Sequence, residues 1–88
     1  MAKVWLPALM RELVGGREMV AAPGATLGEV IGNLEQAWPG VKARLCRPDG
    51  SLHRQFAVLV DDAEARRGLR TPVGPDSEIR FIPPFAGG

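Results

Sequence analysis

The sequence predicts a two-layer α+β sandwich, a single sheet with one main helix lying across it, and three observations predict it. One segment before the middle of the chain carries an apolar stripe at helical spacing. Pairs of short strand-like runs flank it, and Pro, Gly and Asp turn signals separate the runs. A helix set between two such pairs buries its stripe by packing on one face of the sheet they form, which leaves the other face partly open.

The opening "KVWL" alternates, with Val4 and Leu6 on one face and Lys3 and Trp5 on the other, and Pro7 ends it because proline donates nothing to a ladder. "ALMRELVGG" places Leu9, Met10, Leu13 and Val14 at helical spacing, enough for a single turn that Gly15-Gly16 stops. "REMVAA" is a second short strand closed by Pro23-Gly24.

"TLGEVIGNLEQAW" is the main helix. Leu27, Val30, Ile31, Leu34, Ala37 and Trp38 recur at intervals of three and four, Thr26 and Glu29 fit a capping box, and Pro39-Gly40 ends the run. Gly28 and Gly32 each cost the helix up to about 1 kcal/mol relative to alanine. Their four-residue spacing suits either a close backbone approach or a solvent-facing side.

"VKARLCRPDG" reads as a further helical turn closed by Pro48-Asp49-Gly50. "QFAVLVDD" is the clearest strand, with Phe56, Val58 and Val60 on one side and Ala57 and Leu59 on the other, an apolarity on both sides that suits the sheet interior. "GLRTPVGPDSE" is loop, and "EIRFI" is the last strand, where Ile79 and Phe81 alternate against Glu78, Arg80 and Ile82.

The 88 residues suffice for one domain, which at this size buries about 60 to 65% of its unfolded surface. With 45% apolar and 24% charged residues, the composition is that of an ordinary globular protein. A formal charge of +1 gives no field that would steer the chain to nucleic acid or anionic lipid, and no apolar run approaches the roughly 20 residues of a membrane helix. Cys46 is the lone cysteine and no charged-then-apolar leader opens the sequence, which together predict a cytoplasmic protein with no internal disulfide.

The chain ends "FIPPFAGG". Neither Pro83 nor Pro84 can continue a ladder, so a body of residues 1–82 is expected to give way to an extended tail over 83–88, reaching on the order of 18 Å at about 3.1 Å per residue. Gly87 and Gly88 lack side chains, so the terminal carboxylate can enter a narrow channel and be approached from any side. A Gly-Gly end taken by itself suits an idle, disordered terminus better, and it is the preceding strand and Pro-Pro pair that sharpen the signal.

Across nearly its whole length the chain resembles the ubiquitin-like sulfur carriers of the MoaD, ThiS and CysO kind. The resemblance runs through "MRELVGG", "GATLGEVIGNLEQAWPG" and "EIRFIPPFAGG", with "FIPPFAGG" its most specific part. "DGSLHRQFAVLVDDAEARR" looks more like the CysO-type branch. It implies a β-grasp fold, a mixed sheet of four to five strands on one main helix with a flexible C-terminal tail. It also implies that a ubiquitin-activating-type adenylyltransferase uses ATP to adenylate Gly88, and that a sulfur donor protein converts the adenylate to a thiocarboxylate. The carrier binds no cofactor of its own and is a protein-borne cosubstrate, not a catalyst.

By the same resemblance, Gly88 is the covalent site, Gly87 and Ala86 give access to it, and Phe85, Phe81 and Arg80 are docking candidates. Phe81 reads better as core than as contact, whereas Phe85 lies past the prolines and is harder to bury internally. A downstream sulfur-accepting synthase and a metalloprotease complete the implied partners. Cysteine or another small metabolite is the preferred destination, with molybdopterin, thiamine and transfer-RNA thiolation also consistent. Conjugation of Gly88 to a lysine, as in a protein modifier, needs the same slender terminus, and a plain β-grasp binding module would leave the tail idle.

Other residues have simpler readings. Cys46 suits a small buried hydrophobe better than a persulfide carrier, and His53 has no second ligand near it in sequence. Asp61, Asp62 and Glu64 suit a solvated turn better than an acid pair or cation site. Arg66, Arg67 and Arg70 form a basic cluster whose default reading is a solvated loop. No phosphate-cradling glycine loop, catalytic triad spacing or cysteine-histidine metal pattern occurs.

Overall fold

The computed structural model describes residues 1–83. Five strands form one mixed sheet: β1 (Ala2–Trp5), β2 (Met19–Ala22), β3 (Ala57–Val60), β4 (Ala63–Glu64) and β5 (Glu78–Ile82), in the order β2-β1-β5-β3-β4. β5 is central, parallel to β1 and antiparallel to β3, while β1–β2 and β3–β4 are antiparallel pairs. The last strand thus joins two hairpins that are far apart in sequence.

The period of two decides which side faces the core. Ala2, Val4, Val20, Ala22, Val58, Val60, Ile79 and Phe81 point inward and are buried. Helix α1 (Leu27–Ala37) covers them with Leu27, Val30, Ile31 and Leu34, all buried. Trp38 packs partly against the same core, whereas Ala37 is exposed because the helix ends there. The cap is a variant of the expected box: Thr26 Oγ1 accepts from the Glu29 N–H at 3.2 Å, but the Glu29 carboxylate accepts from the Ala25 N–H, 3.0 Å away, rather than from Thr26.

At the helix exit the Glu35 carboxylate accepts from the N–H groups of Gly40 and Lys42, the latter at 2.8 Å, and fixes the start of α2 (Val41–Leu45). Of the two helix glycines, only Gly28 lies at a close approach. A Cβ there would stand 3.2 Å from the Leu69 carbonyl oxygen, in the 3-10 turn Gly68–Arg70, whereas one at Gly32 would meet nothing.

Two expectations need correction. Ala8–Val14 winds as a 3-10 helix, and with three residues per turn Leu9 falls on the side of Glu12 while Met10 aligns with Leu13. Leu9 is therefore 84% exposed, and Met10 and Val14 carry the burial. The stretch closes on Gly15 at φ 67°, a left-handed conformation that suits glycine. The second correction is β4, absent from the sequence reading. Asp61 and Asp62, at φ 52° and 69°, make a two-residue hairpin turn with positive φ at both positions, and Val60 pairs with Ala63 across it.

Candidate functional site

Strand β5 decides where the chain leaves the sheet. Its last ladder pair is Ala57 with Ile82, and Pro83 follows beside the 3-10 helix and the loop before β3. Phe85, Ala86, Gly87 and Gly88, the residues assigned to the carrier terminus, lie outside the described residues, as does Pro84.

The sheet face turned away from α1 is the surface next to that exit. Pairing registers align one row across all five strands: Met19, Trp5, Arg80, Leu59 and Glu64. The Arg80 guanidinium carbon lies 4.9 Å from the Trp5 ring centre. Trp5 Nε1 donates to Glu78 Oε1 at 3.0 Å, and the same oxygen is 3.4 Å from Arg80 Nη2. Both charged side chains remain nearly half exposed, so the guanidinium is oriented yet available.

Phe81, the other β5 docking candidate, points the opposite way. It is 4% exposed, and its ring meets Phe56 edge-to-face with centroids 6.3 Å apart, so it offers a partner almost no surface. Trp5 takes its place on the outer face. Its alternation with Val4 and Leu6 already put it there, but its contact with Arg80 depends on a parallel pairing between the two ends of the chain.

Cys46 and His53 come together on an open cleft of about 470 Å³, also lined by Glu35, Lys42 and Arg47. Burial pushes the Cys46 thiol up, against the smaller pull of Lys42, so the thiolate is disfavoured. Among the described residues no group of three or more His, Cys, Asp or Glu side chains is placed to hold a metal ion.

Asp61 is more than a solvated turn residue. Its carboxylate accepts from Ser77 Oγ–H at 2.7 Å and from the Glu78 N–H at 2.9 Å, and Ser77 Oγ in turn accepts from the Gly74 N–H. These bonds, that to Ser77 first, hold the Asp61 carboxyl below the usual carboxylate range and tie the β3–β4 turn to the start of β5. Asp62 and Glu64 are exposed. Arg67 and Arg70 line one shallow hollow, and Arg66 stands outside it.

Comparison with known proteins gives consistent likenesses. The model of the ThiS family matches residues 4–88. Sulfur carrier protein CysO of Mycobacterium tuberculosis is 37% identical over 89 residues, which cover 97% of this chain and 96% of that protein. Its crystal structure superposes with a TM-score of 0.89, over 94% of this chain and 98% of that one. A chain in the crystal structure of the Amycolatopsis orientalis BexX/CysO complex has a TM-score of 0.91 at 36% identity, with both chains fully covered. Small archaeal modifier protein 1 of Haloferax volcanii is 32% identical over 81 residues, 90% of this chain and 91% of that protein. The fold is accordingly the ubiquitin-like β-grasp, as the sequence resemblance implied.

Proposed function

Starting from the fact that the chain belongs to the ThiS family and is a ubiquitin-like sulfur carrier, we propose that Gly88 is the atom-bearing end of that function. Its carboxylate attacks the α-phosphate of ATP on an activating enzyme, pyrophosphate leaves, and the acyl-adenylate forms. A sulfide equivalent from a sulfur donor protein then displaces AMP and leaves a thiocarboxylate. The protein is the cosubstrate in these steps, and ATP belongs to its partner.

The observation that carries this reading is the extent of the family match, which runs through the final Gly-Gly. The fold supports it, because the central strand ends at Ile82 and leaves six residues, Pro83 to Gly88, to follow the sheet. Thiocarboxylate sulfur is a soft nucleophile at neutral pH, and a tether holds it at high effective concentration in an acceptor's pocket. Gly87 and Ala86 keep the approach narrow.

The destination that suits the CysO-like stretch is cysteine or another small metabolite, made by a sulfur-accepting synthase. The occurrence of a CysO in a complex with BexX supports a protein partner for the carrier. The reading places the carrier in the cytoplasm beside its ATP-dependent partner, in keeping with the lack, among the described residues, of any helix long and apolar enough to cross a membrane. ATP–pyrophosphate exchange by the activating enzyme of the same host tests the first step: the full chain should support it and a chain lacking Gly88 should not.

A second reading, conjugation of Gly88 to lysine amines, is favoured by the likeness to small archaeal modifier protein 1. It predicts high-mass conjugates that survive reducing denaturation. Their absence in sulfur-replete and sulfur-starved cells alike would remove it.

A further inference from the structure

Leu9 is the most exposed large apolar side chain among the described residues. It forms one wall of a groove of about 250 Å³ whose other apolar walls are Pro7, Ala8, Met10, Phe56 and Pro83. The base is firm, since Met10 is buried and Phe56 is braced edge-to-face on Phe81. Gln55 and Arg44 form the polar rim. The Arg44 guanidinium is 3.7 Å from the Glu12 carboxylate, with side chains 50% and 75% exposed, an ion pair weak enough to be exchanged for another.

The position of Pro83 indicates what covers this groove. Pro83 is both a groove wall and the last described residue, and five residues separate it from the end of the chain. Five fully extended residues span at most about 18 Å, so any enzyme that encloses the Gly88 carboxylate brings its own surface within that distance of the groove. A channel deep enough to exclude water around the adenylate puts its mouth against the tail root, where Leu9, Phe56 and Pro83 stand.

On the reading that Gly88 is adenylated, we infer that this groove seats the mouth of the activating enzyme's tail channel. It takes an aliphatic or aromatic side chain between Leu9 and Phe56, with an acidic group of the enzyme facing Arg44. The outer sheet face and this groove then act at adjoining positions, since Ala57 and Ile82, the last pair of the sheet, lie between them.

The test is ATP–pyrophosphate exchange with the full-length carrier and the activating enzyme of its own host, comparing Leu9→Asp, Leu9→Ala and a chain lacking Gly88. The inference expects Leu9→Asp to raise the KM for carrier about ten-fold or more, the scale of losing one buried leucine side chain, with kcat at saturation unchanged. Leu9→Ala should give a smaller rise in the same direction. It guards against misfolding of the Asp variant, and thermal melts of both should match the parent.

An unchanged KM in both variants, alongside exchange that depends on Gly88, overturns the groove inference alone. Exchange that persists without Gly88 overturns the adenylation reading instead. A carrier dimer that Leu9→Asp dissociates would assign the groove to a second copy, and that also overturns the inference.

Discussion

The guanidinium of Arg80 lies over the indole of Trp5, 4.9 Å from the ring centre, where the last strand runs parallel to the first. The stack, with Glu78 bonded to the indole N–H, holds a positive group at a fixed place on the open face of the sheet. An exposed cation–π contact is worth about 0.5 to 1 kcal/mol. That contact orients the guanidinium in the free carrier. On the reading that Arg80 faces the activating enzyme, an exposed ion pair to it adds up to about 1 kcal/mol of binding. Arg80→Ala is therefore expected to weaken binding by up to about five-fold, and Arg80→Lys, which keeps charge but loses the flat stack, by less. Titration calorimetry of the two variants against the enzyme checks the order, and equal affinities for all three chains would contradict it.

Phe81 works inside the body. Its truncation to alanine removes a ring that is 4% exposed and leaves Phe56 without its edge-to-face partner. A loss of about 3 to 5 kcal/mol is expected, a large share of the roughly 5 to 15 kcal/mol that holds a small domain together. Urea unfolding gives the number, and a loss below about 1 kcal/mol would place Phe81 outside the core.

The two helix glycines separate packing from propensity. Gly32→Ala meets open space and should stabilise the chain by about 0.5 to 1 kcal/mol. Gly28→Ala brings its methyl to 3.2 Å from the Leu69 carbonyl and should fall short of that gain. Equal melting shifts for the two would contradict the close approach.

Asp61 gives stability a pH dependence of known sign. Its carboxyl is held below the ordinary value of about 3.9 in the folded chain, by Ser77 first and by the Glu78 N–H second. The stabilisation is therefore complete above that ordinary value and disappears as pH falls through the folded one. Asp61→Asn should lower the urea midpoint at about pH 7, and the gap to the parent should close as pH falls below the ordinary value and through the folded one. Glu35 and Asp49, also held low, titrate alike in both proteins and cancel in the difference. A gap that persists unchanged at low pH would contradict the assignment.

Local periodicity made α1 legible almost to the residue, because an eleven-residue helix repeats its signal three times and carries a cap at its start. The same logic misplaced Leu9, since it assumed 3.6 residues per turn where the chain winds with three. β4 escaped because two residues have no period, and Asp-Asp lacks the glycine that usually marks such a turn. The site divided similarly. The slender terminus could be read from composition and resemblance, and the outward side of Trp5 and Arg80 from alternation. Their stacking could not, because it depends on strands joined across 75 residues of sequence, Trp5 to Arg80. The groove at Leu9 was hidden for the same reason, being built from four separate segments.

The most direct test of the central claim is the intact mass of the protein purified from its own host under non-reducing, alkylation-free conditions. The account predicts a fraction heavier by one oxygen-to-sulfur exchange, mapped by fragmentation to Gly88, and absent when the activating enzyme is deleted. A terminus that carries only oxygen in cells with an active sulfur donor and activating enzyme would contradict it.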